Sequence, residues 1–251
     1  MVHFVGAGCG ASDLITVRGA RLLSEADVII HAGSLVNPEL LNYAKEGCEI
    51  HDSASMTLEQ VVEVVKAAEA KGKHTVRLHT GDPSIYGAVR EQFDALTALG
   101  IDYDVCPGVS SMSGAAAALK AEYTLPGVSQ TVIVTRMEGR TPVPEKEKLR
   151  LLAAHGATMV LFLSAGLSES LQRELLEGGY GPETPVAIVY KASWPDEKII
   201  RCRLCDLKET VEKNNVKKTA LILVGRFLGD EYARSKLYDP SFTTEFRGAE
   251  K

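Results

Sequence analysis

The stretch Leu78-His79-Thr80-Gly81-Asp82-Pro83-Ser84-Ile85-Tyr86-Gly87-Ala88 decides how the chain is read. A strand-forming run, Thr75 to Leu78, ends abruptly in Thr-Gly-Asp-Pro. Gly81 permits close approach of backbone, Asp82 is the first acceptor beyond the strand, and Pro83 has its φ preset for the first turn of a helix. The stretch therefore reads as a strand, a sharp turn and a helix from about Pro83 to Leu99, closed by Gly100. In open α/β sheets ligands bind beyond the carboxyl ends of strands, so the turn is a candidate binding element. On local chemistry alone it is equally a tidy strand-to-helix connection.

The same alternation extends on both sides. Val2 to Gly6 is a short apolar strand running into Gly6-Ala7-Gly8-Cys9-Gly10-Ala11. Ser12 is placed to cap a helix from Asp13 to about Glu25, with Leu14, Val17, Leu22 and Leu23 on one face. Ala26 to His31 reads as a second strand, and Asn37-Pro38-Glu39 as a cap opening a helix to about Lys45. Cys48 to His51 is a short third strand. Thr57-Leu58-Glu59-Gln60 is a capping box for a helix that ends at Gly72. His74 to His79 is the fourth strand and Tyr103 to Cys106 the fifth. The fifth ends in Pro107-Gly108-Val109-Ser110-Ser111, before a small-residue helix from Met112 to about Lys120. Strand alternating with helix predicts a parallel sheet.

The pattern lapses from Ala121 to Gln130, which predicts an N-terminal α/β domain over 1–121 and a C-terminal α/β domain over 122–251. The second domain is expected to hold a mixed sheet. Its strands read as Thr131 to Thr135, Thr158 to Leu163, Val186 to Tyr190, Lys198 to Arg203 and Thr219 to Val224. Its helices read as about Glu145 to Ala154, Ser168 to Leu176 and Leu207 to Lys213. Arg136 to Pro144 is a charged loop with two prolines, and the tail from Gly229 is polar.

The 251 residues, 45% of them apolar, suffice for two such cores. No apolar run approaches the ~20 residues of a membrane span. The N-terminus enters a strand directly, without the pattern of a signal peptide, so a cytoplasmic protein without membrane contact is expected. The five cysteines are odd in number. Cys202-x-x-Cys205 lacks a second pair to complete a zinc site and reads as reduced thiols, so no metal is expected. A net charge of −5 provides no basic field for nucleic acid; an anionic substrate would need basic residues gathered locally.

Gly6-x-Gly8-x-x-Ala11 after a first strand fits the dinucleotide fingerprint. That fingerprint also needs an acid after the second strand. Positions 31 to 36 read His-Ala-Gly-Ser-Leu-Val, and Asp27 precedes the strand. A nucleotide-dependent oxidoreductase is thus the alternative from another class, weakened by the missing acid. A non-catalytic ligand-binding module is a further one.

Three segments taken together carry a resemblance. They are Val5-Gly6-Ala7-Gly8-Cys9-Gly10 with Asp13-Leu14-Ile15-Thr16-Val17, then Thr80-Gly81-Asp82-Pro83, then Pro107-Gly108-Val109-Ser110-Ser111. In order and spacing, across nearly the whole chain, they resemble the tetrapyrrole (uroporphyrin-III C-methyltransferase-like) methylases. The runs Thr135 to Glu145 and Val189 to Lys198 resemble the branch that methylates C11 of precorrin-4 or cobalt-precorrin-4 to the corresponding precorrin-5, on the route to cobalamin.

The resemblance implies two α/β domains in the tetrapyrrole methylase fold, distinct from the nucleotide-binding Rossmann methyltransferase fold. It implies S-adenosylmethionine in a cleft between the domains, S-adenosylhomocysteine as product, a polycarboxylate tetrapyrrole substrate and a homodimer. The first glycine loop is implied to lie toward the substrate. By position, the cofactor contacts are Thr80, Gly81, Asp82, Ile85, Ser110, Ser111, Leu163 and Ala192. In isolation Leu163 is a core residue, and Ser110 and Ser111 are helix caps. For the substrate, Arg136, Arg140 and Lys191 are candidates to hold carboxylates, with Arg18 and Lys120 weaker; Arg suits carboxylates because its planar fork binds bidentately. Glu138 and His31 are candidate polar orienters.

The chain also departs from the family. The loop usually reads Gly-Pro-Gly-Asp-Pro-Asp-Leu; here it is Gly8-Cys9-Gly10-Ala11-Ser12-Asp13-Leu14, so Cys9 stands where a ligand-touching proline is usual. Ala32-Gly33 stands where some relatives carry an Asp base, so no catalytic residue is named. Methyl transfer to carbon needs in-line alignment at ~3–3.5 Å, and a reduced tetrapyrrole has enamine-like carbons that attack without a strong base. Catalysis by positioning and desolvation is therefore expected. Another ring position, or a non-tetrapyrrole acceptor, is the alternative within the family.

Overall fold

The structure is a computed structural model that describes residues 1–249. Its first unit comprises Met1–Ala115 and Lys191–Glu197. Strands β1 (Val2–Gly6), β2 (Val28–His31), β3 (Glu49–Asp52), β4 (Thr75–His79) and β5 (Tyr103–Cys106) form one sheet. The sheet is parallel throughout, in the order β3-β2-β4-β1-β5. All five residues of central β4 are buried, as parallel strands covered on both faces require. Helices α1 (Val17–Glu25), α2 (Leu58–Glu69), α3 (Arg90–Ala98) and α4 (Ser111–Leu119) complete the alternation. Val5, Ile29 and Leu78 pack with Leu22 and Leu23 of α1 in one core. Phe4 and Ile30 pack with Val61 and Val65 of α2 and Leu96 of α3 in another.

Three helix starts in this unit differ from the sequence reading. No helix begins at Pro83: Tyr86 (φ 54°) and Ala88 (φ 48°) take left-handed backbone, which ends any right-handed helix, and α3 starts at Arg90. No α-helix begins at Asp13 either. Ser12 donates its hydroxyl to Glu39 (2.7 Å) and begins only a 3-10 turn, Ser12–Leu14. Thr16 caps α1 instead, accepting the Gly19 amide (3.0 Å). After Asn37 the chain forms a 3-10 helix, Pro38–Tyr43. The Thr57 capping box is present with both reciprocal hydrogen bonds, 3.3 and 2.8 Å.

The second unit comprises Ala116–Tyr190 and the described residues from Lys198 on. Strands β6 (Val132–Arg136), β7 (Thr158–Phe162), β8 (Pro185–Tyr190), β9 (Lys198–Arg203) and β10 (Ala220–Val224) lie in the order β6-β7-β10-β8-β9. Only β6 and β7 are parallel; the other pairs are antiparallel, so the sheet is mixed. Its core joins Met159, Leu161, Ile188 and Ile222 to helices α5 (Leu149–Ala153), α6 (Ser168–Glu177) and α7 (Leu207–Lys213). The helix expected from Glu145 is interrupted at Lys148, whose ψ of 137° is extended; Glu145–Glu147 is a separate 3-10 turn. The five cysteines are free thiols, and burial pushes the Cys202 thiol above its ordinary pKa. No helix among the described residues is long and apolar enough to cross a membrane.

Candidate functional site

Because β4, β1 and β5 are neighbours in a parallel sheet, the loops that leave their carboxyl ends emerge side by side. The loop after β1 is tied to the loop after β4 by backbone. Ala7 N donates to His79 O (2.7 Å), and Gly8 and Gly81 exchange both hydrogen bonds, 3.2 and 2.9 Å. The loop after β5 closes on the same point. A Cβ added at Gly108 would lie 2.2 Å from Gly81 O, and one at Gly6 would lie 2.5 Å from Gly108 Cα. Both glycines are thus required by close backbone approach.

Asp82 links two of these loops through both carboxylate oxygens. Oδ2 accepts the Gly108 amide (2.8 Å). Oδ1 accepts the Ser84 amide (2.9 Å) and the Ser84 hydroxyl. Partial burial pushes the Asp82 carboxyl up, but these hydrogen bonds outweigh it and hold the group below its ordinary pKa. Thr80 donates its hydroxyl to Leu35 O (3.0 Å). Ile85 is half-buried, and Ser110 and Ser111 are half-buried at the start of α4. Ser110 O accepts the Ser113 and Gly114 amides (3.0 and 3.2 Å).

Below this turn, β4 carries two buried basic side chains. Arg77 donates to Gln92 Oε1 (3.0 Å) and Ile30 O (3.1 Å), and burial pushes its pKa down to about 10. His79 stacks on Phe4 at 5.9 Å, and its buried Nε2 has no hydrogen-bond partner among the described residues. Burial, reinforced by the Arg77 charge, pushes its pKa down to about 3.

The first glycine loop meets the Lys191–Glu197 segment within the same unit. Ser193 Oγ accepts the Ala11 amide (3.0 Å) and lies 3.3 Å from Cys9 Sγ. Gly10 has no room for a Cβ, which would lie 2.3 Å from Trp194 Cδ1 and 2.6 Å from Ala192 O. Gly10 O accepts Asn37 Nδ2 (2.9 Å). Cys9 and Ala192 are buried. Lys191 pairs with Asp196 (2.7 Å), its Nζ 5.5 Å from the Trp194 ring centroid. Local sequence pattern marks Asn37 only as a helix cap and gives Ser193 no role. The available signal was Gly10 itself, a glycine that no turn type demanded.

The remaining candidates lie elsewhere. His31 ends β2, its carbonyl accepting the Ser53 hydroxyl (2.9 Å). Arg18 lines a surface groove with His3, Arg21, His74 and Asp104. In the second unit, Leu163 follows β7 with its side chain 71% exposed and its backbone left-handed, φ 53°. That is an unusual conformation for a bulky residue. Arg136 donates to Met137 O (3.1 Å), Thr141 O (3.2 Å) and Pro142 O (2.8 Å), drawing its own loop together. Glu138 and Arg140 are exposed on that loop. Lys120 lines a groove with Arg201 and Tyr232.

A site of this kind offers neutral hydroxyls, main-chain groups and one half-buried aliphatic wall, and its carboxylate is already committed between loops. Comparison with known proteins gives this arrangement a context. Residues 1–208 match the Tetrapyrrole (Corrin/Porphyrin) Methylases family. A cobalt-precorrin-4 C(11)-methyltransferase of Methanocaldococcus jannaschii is 57% identical over 251 residues, covering 100% of this chain and 97% of the relative. The X-ray structure of a cobalamin biosynthetic enzyme, cobalt precorrin-4 methyltransferase, superposes with a TM-score of 0.89 at 47% identity, covering 91% of this chain and 96% of that one. A uroporphyrin-III C-methyltransferase from Thermus thermophilus, complexed with S-adenosylhomocysteine, superposes with a TM-score of 0.75 at 27% identity, covering 90% and 92%.

Proposed function

The chain belongs to the tetrapyrrole (corrin/porphyrin) methylases, and from that premise we propose that it methylates C11 of cobalt-precorrin-4 in cobalamin biosynthesis. It is an S-adenosylmethionine-dependent methyltransferase. The single observation that carries the C11 assignment is 57% identity sustained over the whole chain to a relative of that name.

For the methyl donor we assign Thr80, Gly81, Asp82, Ile85, Ser110, Ser111, Leu163 and Ala192. The support is chemical. Ile85 supplies an apolar wall, Ser110 and Ser111 short hydroxyls, and the turn at Gly81 backbone donors and acceptors, the mixture a largely apolar ligand with few polar groups needs. When bound, S-adenosylmethionine supplies an activated methyl group on a good leaving group. The chain's own task is then to hold the acceptor carbon in line, orient it and exclude water. No side chain at positions 31 to 36 is an acid, which supports catalysis by positioning without a dedicated base. The first glycine loop receives the tetrapyrrole, with Cys9, His31 and Lys191 of the first unit as candidate contacts; Glu138 and Arg140 are assigned to the substrate on the family resemblance. Arg136 holds the Glu138–Arg140 loop in shape, its guanidinium already donating to three carbonyls. A cytoplasmic homodimer belongs to the same proposal, on the family resemblance.

Incubation with cobalt-precorrin-4 and methyl-labelled S-adenosylmethionine, followed by NMR, tests the assignment. Label at C11 supports it; label at another carbon reassigns the ring position and leaves the family standing. Calorimetry separates the other class: S-adenosylhomocysteine is expected to bind and NAD(P)H not to. Light scattering on the purified chain tests the dimer.

A further inference from the structure

We propose that Ser193 is a positioning residue for the methyl acceptor: its hydroxyl latches the Gly8–Ala11 loop into the shape that receives the tetrapyrrole. The inference rests on the reading that this loop, at the carboxyl end of β1, is the acceptor side of the site.

Four observations point to Ser193. Its Oγ accepts the Ala11 amide at 3.0 Å and meets Cys9 Sγ at 3.3 Å, so one hydroxyl touches two of the loop's residues. Its backbone is left-handed, φ 65°, a strained conformation for a residue with a Cβ and one that persists where surrounding structure demands it. The surroundings that impose it are visible. Ser193 N donates to Glu197 Oε2 (2.6 Å), and Trp194 N donates to Lys191 O (3.0 Å). The segment is thereby a closed hook rather than a loose connection. The loop is also shaped to receive the hook: Gly10 has no space for a Cβ against Trp194 and Ala192 O, and Gly114 has none against Cys9 Sγ, 2.6 Å away.

Beyond the Gly8–Gly81 backbone pair, the loop thus has two side-chain fastenings. Asn37 Nδ2 holds the Gly10 carbonyl (2.9 Å), and Ser193 holds the next amide. Loss of the hydroxyl frees the Ala11 N–H and removes the contact to Cys9 Sγ. The Ala11 end of the loop loosens while the Gly8–Gly81 pair and the Asp82 linkage remain.

Two variants separate positioning from strain. Ser193→Gly removes the acceptor and relieves the left-handed backbone; Ser193→Ala removes the acceptor and keeps the strain. Both are expected to raise KM for the tetrapyrrole by roughly tenfold, the scale of one lost buried hydrogen bond. The turnover number and the Kd for S-adenosylhomocysteine are expected to stay within about twofold. Hydrogen exchange of the peptide containing Ala11 is expected to quicken in both, with or without substrate. A KM that stays at the wild-type value while exchange quickens would overturn the positioning role, and so would unaltered exchange. An equal loss of S-adenosylhomocysteine affinity would also overturn it, because the hook would then serve the donor. Wild-type protein that leaves cobalt-precorrin-4 unmethylated would overturn the proposed function instead, and the exchange measurement then decides alone whether Ser193 holds the loop.

Discussion

At the scale of single residues, Asp82 and His79 sit close together in sequence and both have a lowered pKa, Asp82 because hydrogen bonds hold its charged form and His79 because burial disfavours its charged form. Asp82 is held ionised by donors from two loops, so Asp82→Ala unties the β4 turn from Gly108. The expected cost is about 2 kcal/mol of unfolding free energy, the scale of charge-assisted hydrogen bonds. S-Adenosylhomocysteine affinity is expected to fall about tenfold with it. Denaturant titration and calorimetry read the two losses, and an unaltered affinity would remove this turn from the donor site. His79 is neutral in the fold down to about pH 3, whereas an unfolded chain protonates histidine near 6.5. Between those values the unfolded state binds the extra proton. His79 therefore contributes its full share of stability above about pH 6.5, and that share is lost as the pH falls toward 3. His79→Phe keeps an aromatic ring beside Phe4 and deletes the titration. Between pH 6.5 and 4.5 the wild type is expected to lose up to about 1.4 kcal/mol more per pH unit than the variant, measured by denaturation at each pH. Parallel slopes would contradict the burial argument.

At the scale of elements, the site depends on where strands stop. Thr75–His79 and Tyr103–Cys106 end where the sequence reading ends them, because a strand that enters Gly-Asp-Pro or Pro-Gly has no local means to continue. Helix starts were less legible. Ser12 and Thr16 are both chemically able to cap, and only the distant Glu39, which takes the Ser12 hydroxyl, decides between them. Gly87 did mark the true break before α3, but Pro83 offered a competing start. Leu163 enters the proposed donor site only through the family resemblance, since a leucine after an apolar strand reads as core. Its exposed side chain on left-handed backbone stores strain at the end of β7. Leu163→Gly relieves that strain, about 1 kcal/mol, against a similar entropic penalty for glycine. Stability is expected to stay within ~1 kcal/mol while S-adenosylhomocysteine affinity falls several-fold; denaturation and calorimetry on one preparation check both. Gly108→Ala is the contrary case. Its methyl would meet Gly81 O at 2.2 Å, backbone against backbone, and a loss of about 3 kcal/mol is expected by denaturant titration.

At the scale of the whole molecule, the two rounds of strand and helix were legible because burial imposes local periodicities of 2 and 3.6 residues. What joins distant positions was not. Nothing near Lys191–Glu197 marks it as part of the first unit, and a continuous-segment division at 121/122 has no way to represent that return. The order of the second sheet, with β10 between β7 and β8, is equally invisible to local pattern. The tail raises the same question in reverse, because its aromatic residues have nowhere local to go. Tyr232, Leu237, Tyr238, Phe242 and Phe246 are 61, 58, 71, 44 and 92% exposed, so they take little apolar area out of water within one chain. Hydrophobic stabilisation scales with that area. Deletion from Lys236 onward is therefore expected to shift the melting temperature of the isolated chain by less than about 3 °C, the equivalent of ~1 kcal/mol at this size. A larger loss, falling further as protein concentration is lowered, would mean that a second copy covers these residues. The tail would then be part of the proposed dimer, and light scattering on the truncated chain would return the mass of a monomer.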